Sequence, residues 1–123
     1  MKKSLLILFV LLFSTTVFSQ SISKRVTDFN LEKKVAIQGY DPVAYFVQKK
    51  AVKGKSTLAS TYDGVVYYFS SQANKDLFLK NPSSYEPQYG GWCAFAMGDY
   101  GEKVEINPET FKIIDGKLYL FYN

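Results

Sequence analysis

The sequence predicts an α+β fold, a small antiparallel sheet of two or more hairpins with short helices packed on it. Three observations carry this reading. Two Asp-Gly pairs, Asp63-Gly64 and Asp115-Gly116, sit between runs rich in β-branched and aromatic residues, the signature of two-residue hairpin turns. A helical pattern with its own cap and stop, "SSQANKDLFLKNP", follows the first hairpin. A glycine-rich turn, "EPQYGGWCAFAMGDYG", leads from that helix to the second hairpin, with no low-complexity tract or linker between the parts.

The first residues read as an address. Lys2 and Lys3 precede the apolar run "LLILFVLLF", and "STTVFSQ" follows, with Val17 and Ser19 suited to the small-residue cleavage rule. This layout is expected to be a secretory signal peptide over residues 1–19, too short for a comfortable membrane span. Cleavage after Ser19 would leave Gln20 as the mature N-terminus. No cysteine lies near that point, so lipid attachment is not expected. The expected location is periplasmic or secreted, with no membrane association after signal removal. The remaining 104 residues suffice for one domain and are too few for two. Losing Lys2 and Lys3 lowers the formal charge from +4 to +2. The other Lys and Arg residues are scattered among Asp and Glu. Without a stripe that could neutralise several phosphates, nucleic acid is not an expected partner.

Residues 20–34 read as a polar lead-in with a few apolar anchors, and the dense pattern of 35–123 reads as the domain. "VAIQGYDPVAYF" predicts a short strand, a turn at Gly39 and a helical turn capped by Asp41, with Pro42 at its first position. In "STYDGVVYYFSS", Val65, Tyr67 and Phe69 share one strand face, and Val66 and Tyr68 the other. Ser70 or Ser71 is expected to cap the next helix, whose apolar face would hold Ala73, Leu77 and Phe78, and Pro82 stops it. "NPSSY" (81–85) and "NPETF" (107–111) share a shape expected to be a capped turn planting a ring in the core. The last strand, Leu118–Tyr122, is apolar on both faces. It therefore needs a mid-sheet position or a cover, a second copy of the chain being one such cover.

Chemistry is limited by composition. Histidine is absent and Cys93 is the only cysteine, so no internal disulfide and no His-based nucleophile pair can form. The chain is not expected to be an enzyme. A short helix over "GWCAFAMG" would set Cys93 and Met97 four apart on one face, a thiolate and a thioether suited to Cu(I). Zinc would want four ligands, including the His or further Cys that are missing. The other reading is that Cys93 and Met97 are core packing. The ten tyrosines and ten phenylalanines have two readings as well: an aromatic pocket drawing on "GYDPVAYF", "YDGVVYYF" and "EPQYGGW", or simply the sheet's core. Asp41 reads first as a cap and second as a hard ligand. A thiol-redox role for Cys93 would need exposure and a basic neighbour, and none adjoins it in sequence.

The ordered set "GYDPVAYF", "YDGVVYYFSS", "NPSSYEPQYGGWCAFAM" and "NPETFKIIDGKLYL" resembles the YHS-domain family, in its small exported bacterial members, over about residues 35 to 120. The resemblance implies a compact α+β domain. A better-known branch of the family resembles a heavy-metal module joined to copper-transporting ATPases. Its cysteines would fall after "DPV" and after "YYF", where this chain has Ala44 and Ser70, so that metal site does not carry over. The resemblance also implies a helical, tryptophan-containing tail after "LYL"; the sequence ends at Asn123 without one. The resulting expectation is an exported, non-enzymatic binding module. Cys93 and Met97 would be the ligands of any Cu(I), and Tyr40, Asp41, Tyr89 and Trp92 would line a ligand pocket. The alternative is a module that recognises a protein or an apolar ligand without metal.

Overall fold

The computed structural model describes residues 20–123, and the expected signal segment lies outside the described residues. The lead-in is an element in its own right. Residues 20–28 are helical (α1), and Leu31–Glu32 form strand β1. Ile22, Arg25, Val26 and Phe29 recur at helical spacing, a stripe that the surrounding polar residues conceal in composition. The stripe faces the body of the protein: a Cβ on Gly64 would meet Val26 at 2.8 Å and Ile22 at 2.9 Å.

The α+β class holds. One sheet has the order β1-β2-β4-β3, with β2 at Val35–Ala36, β3 at Lys55–Tyr62 and β4 at Val65–Phe69. Its β3–β4 pair is antiparallel as expected and the unforeseen β1–β2 pair is antiparallel too, whereas β2 meets β4 in parallel at Val35 and Val66. Asp63 and Gly64 take φ of 45° and 86°, the two positive values that a type I′ hairpin requires. Val65, Tyr67 and Phe69 are fully buried while Val66 and Tyr68 are half-buried, as the alternation predicts.

The second sheet is the hairpin of β5 (Asn107–Ile114) and β6 (Lys117–Phe121), turned at Asp115 and Gly116. Leu118 and Leu120 of β6 are completely buried. Their cover is internal. Pro87 bridges Leu118, and the turn Gln88–Gly91 packs along the strand, so the glycine-rich segment shields the apolar strand that follows it.

Four short helices complete the described chain: α2 (Ala44–Val47), α3 (Gln72–Lys80), α4 (Pro82–Tyr85) and α5 (Ala94–Asp99). Ser71 caps α3 by accepting from the Asn74 N–H at 3.2 Å. The buried face of α3 differs from the expected one: Asn74 and Phe78 are buried, whereas Ala73 and Leu77 are exposed. The helix is rotated because the Asn74 amide is needed inside, on Asp41, which the hydrophobic pattern could not register. The two Asn-Pro motifs also diverge. "NPSSY" is a helical turn that sets Tyr85 edge-on to Phe46, while "NPETF" is a bulged start to β5 that sets Phe111 edge-on to Tyr45. Both plant a ring, by different backbones. Among the described residues no helix is long and apolar enough to cross a membrane.

Candidate functional site

Two turns of unusual hand frame the surface. Ile37, Gln38 and Gly39 all have positive φ (55°, 52° and 83°), and so do Tyr89, Gly90 and Gly91 (57°, 62° and 86°). Each run closes with an N–H to the carbonyl three residues back, from Tyr40 to Ile37 at 2.9 Å and from Trp92 to Tyr89 at 3.1 Å. Glycine enters this region without strain, but Ile37, Gln38 and Tyr89 do so against the Cβ penalty. A β-branched residue in that region is a true outlier, and such strain concentrates at functional sites.

Against the second turn lies a cleft of about 310 Å³, lined by Asp28, Phe29, Tyr89, Gly90, Trp92, Met97 and Lys103. Its size is at the lower end of small-molecule sites, and its wall is mostly ring and thioether. The wall is fixed from behind. Trp92 donates its indole N–H to the Asp28 carbonyl at 2.7 Å, pinning the ring to the end of α1. Asn30 ties to the turn twice, donating its backbone N–H to the Gly90 carbonyl at 2.9 Å and its amide to the Gly91 carbonyl at 3.1 Å. Gly90 is favoured by φ and packs closely, since a Cβ there would sit 3.2 Å from the Phe29 ring. Tyr89 stands 44% exposed at the mouth.

Charge gathers on one rim. Lys103 lies 5.9 Å from the centre of the Trp92 ring, within cation–π range. Its ammonium is 3.6 Å from Asp28, whose other oxygen pairs with Lys24 at 2.8 Å. The Lys24 hydrogen bond first, and both lysine charges with it, hold the Asp28 carboxyl below its ordinary range. A second depression of about 250 Å³ touches the other left-handed turn and is lined by Glu32, Lys33, Val35, Gln38, Gly39 and Tyr68. Glu32 and Lys33 contribute opposite charges to its lining.

The residues singled out from the sequence are divided between three places. Tyr89, Trp92 and Met97 come together in the cleft. Cys93 does not join them. It occupies the cap position of α5 with extended ψ of 118°, is 4% exposed and belongs to the hydrophobic core. Its carbonyl accepts from the Met97 N–H at 3.0 Å, so the expected four-residue relation exists in the backbone. The side chains part, Cys93 to the core and Met97 to the cleft. Tyr40 lies elsewhere, bridged to Lys53 and partly buried.

Asp41 is completely buried. One oxygen accepts from the Val43 N–H at 2.8 Å and the Ala44 N–H at 3.2 Å. The other accepts from the Ser70 N–H at 2.8 Å, the Ser70 hydroxyl at 2.7 Å and the Asn74 amide at 2.9 Å. Five donors saturate a carboxylate's acceptor capacity of about four lone pairs, so the expected cap is also a hub joining α2, the end of β4 and α3. Ala44 and Ser70, where the metal-binding branch would place thiols, both converge on this carboxylate. The donor set here is amides, a hydroxyl and an already satisfied carboxylate, which does not fit a soft metal. Among the described residues no three Cys, Asp or Glu side chains gather as ligands.

A further cluster holds α1, and with it Asp28 and Phe29 of the cleft. The Arg25 guanidinium donates to Glu86 at 2.8 Å and to the Asp63 carbonyl at 3.2 Å, 4.5 Å from the centre of the Phe29 ring. Tyr67 donates its hydroxyl to the same Glu86 oxygen at 2.7 Å. Burial, reinforced by the Glu86 charge, pushes the Tyr67 hydroxyl well above the ordinary tyrosine range. Burial lowers the Arg25 value, but Glu86, with Tyr67 and Asp63 adding to it, more than offsets this, and the net direction is upward.

Phe29, Lys103, Arg25 and Glu86 were missed at the sequence level. Only the Ile22–Arg25–Val26–Phe29 spacing could have pointed to the first; Lys103 reads as one solvated lysine among many. Comparisons with curated proteins and with solved structures return no significant match. The family model of the YHS domain matches residues 43–89, which run from the Asp41-capped turn through the hairpin and α3 to the first residue of the left-handed turn at the cleft. The match supports assigning that segment to the YHS-domain family, a family often linked to metal handling, copper included.

Proposed function

We propose that this chain is an exported, non-enzymatic binding module of YHS type, and that it takes a small, mostly apolar ligand in the cleft beside Trp92 without a metal. The observation that carries the reading is the separation of Cys93 from Met97. The thioether lines a ring-walled cleft while the thiol is 4% exposed in the core. A soft-metal site built on this pair would need the sulfur that is sealed away, whereas an apolar ligand needs only the wall already present. The rigid mounting of that wall, through the Trp92 indole and Asn30, supports binding to a preformed surface.

Trp92 is the only tryptophan, so its emission reports on the cleft. Titration of the purified protein with an anilinonaphthalene probe is expected to change Trp92 emission, and Met97→Tyr, which fills the cleft, should abolish the response. A parallel Cu(I) titration under reducing conditions compares the parent with Cys93→Ser. Tight Cu(I) binding lost in Cys93→Ser would overturn the metal-free reading. No probe response in a folded parent protein would remove the cleft as a site. Export is checked by the intact mass of the processed chain, expected to begin at Gln20.

A further inference from the structure

The rim of the same cleft carries information about the ligand's polar end. Asp28 brings one negative charge, and Lys24 and Lys103 bring two positive ones. The two ion pairs are unequal. Lys24 makes a hydrogen bond to Asp28 at 2.8 Å, whereas Lys103 stands at 3.6 Å, beyond hydrogen-bond distance. Asp28 is therefore served chiefly by Lys24. Lys103 lines the cleft beside the Trp92 face and makes no hydrogen bond among the described residues, so it can serve a stronger acceptor.

We propose, resting on the reading of the cleft as a ligand site, that it selects a monoanionic amphiphile: a short aryl or alkyl group against Phe29, Trp92 and Met97, with a carboxylate on Lys103. The ring wall alone would also suit a cation, since faces of Trp and Tyr attract ammonium groups. Lys103 decides against that, because it already occupies the cation position over Trp92 and leaves the rim with a net positive charge. The single lysine also sets the ligand's charge. A dianionic phosphate ester calls for an arginine fork or several converging donors, and one half-exposed ammonium offers neither. The cavity limits the apolar part to about one ring or a short chain.

Three probes of one skeleton test this on the purified protein: 3-phenylpropanoate, 3-phenylpropan-1-ol and 3-phenylpropylamine, titrated by calorimetry and by Trp92 emission. The acid is expected to bind about three- to tenfold more tightly than the alcohol, and the amine more weakly than either. The preference should shrink with added salt, as an exposed charge contact does. Lys103→Gln should bring the acid down to the affinity of the alcohol, while Lys24→Gln, which removes one rim charge and leaves Asp28 to Lys103, should reduce the preference without abolishing it. Equal binding of acid and alcohol, a preference for the amine, or an acid preference that survives Lys103→Gln each overturns the proposal while the apolar cleft stands. If none of the three binds to folded protein, the reading of the cleft as a site falls with it.

Discussion

Ser70 gives both its backbone N–H and its hydroxyl to one oxygen of Asp41, over 2.8 Å and 2.7 Å. That pair joins the end of the first hairpin to the turn before α2, across 29 positions of sequence. Removing the carboxylate strands five donors at a completely buried position. Asp41→Ala is expected to cost about 3–5 kcal/mol, a large share of a small domain's stability. Ser70→Ala removes the hydroxyl but leaves four donors on the carboxylate, and should cost about 1–2 kcal/mol. Urea unfolding of both variants checks the order. A milder loss from Asp41→Ala than from Ser70→Ala would show that the hub is not where the stability lies.

The same residues show how much of the molecule could be read from the sequence. Alternation, Asp-Gly turns and capping signals are local, so the hairpins, the α3 cap and the buried face of β4 were legible. Asp41 could be recognised as a cap because its first two acceptor bonds fall at positions 43 and 44. Its remaining three come from positions 70 and 74, which no local pattern announces. Asn74 accordingly displaced Ala73 and Leu77 from the inner face of α3. The cleft divides in the same way. Tyr89, Trp92 and Met97 lie within nine residues and meet in one wall, whereas Phe29 and Lys103 arrive from α1 and from the chain after α5. For Cys93 the sequence left two readings, ligand or core packing, because spacing places a backbone and not a side chain. Its extended ψ at the helix cap turns it from the face that Met97 uses.

Gly54 and Gly101 make a second comparison. A Cβ at Gly54 would lie 2.5 Å from the Tyr68 carbonyl carbon, which is backbone and cannot swing aside. At Gly101 nothing lies within 4 Å, although φ is +70°. Gly101→Ala should therefore cost about 1 kcal/mol, from the left-handed backbone alone. Gly54→Ala should cost about 3 kcal/mol or more, because the two backbone segments must separate. Thermal unfolding of the two variants reads the difference directly. Similar midpoints would mean that the close approach at Tyr68 is not held tightly.

Arg25 is the expected control point for α1. Its guanidinium is flanked by Phe29 and Tyr62 and bonded to Glu86, so truncation removes stacking and an ion pair together. Arg25→Ala is expected to cost about 2–3 kcal/mol and to speed amide hydrogen exchange within residues 20–28 before the rest of the domain. Arg25→Lys should restore less than half of the loss, since an ammonium neither forks nor stacks. Because Asp28 and Phe29 follow on the same element, Arg25→Ala should also weaken the Trp92 response to apolar probes. Unchanged exchange in α1 would contradict the anchoring role.

Alkaline pH tests the buried tyrosines. Burial raises the Tyr67 hydroxyl, with the Glu86 charge adding to it, and burial likewise raises Tyr45, which donates to the Pro108 carbonyl at 2.7 Å. Raised folded values mean that folding favours the protonated hydroxyl. The contribution is fully present below the unfolded value of about 10 and is lost as pH climbs above it toward the folded values. Between about pH 10 and 11 the pair should lower stability by up to about 2.7 kcal/mol per unit, twice the single-proton slope. Tyr67→Phe gives the decisive reading. The variant is less stable near neutrality, because Glu86 loses a donor, yet its stability should fall less steeply with pH, since one of the two late-ionising groups is gone. Urea midpoints at pH 9, 10 and 11 supply the slopes, and an equally steep fall in Tyr67→Phe would refute the assignment of alkaline sensitivity to this buried hydroxyl.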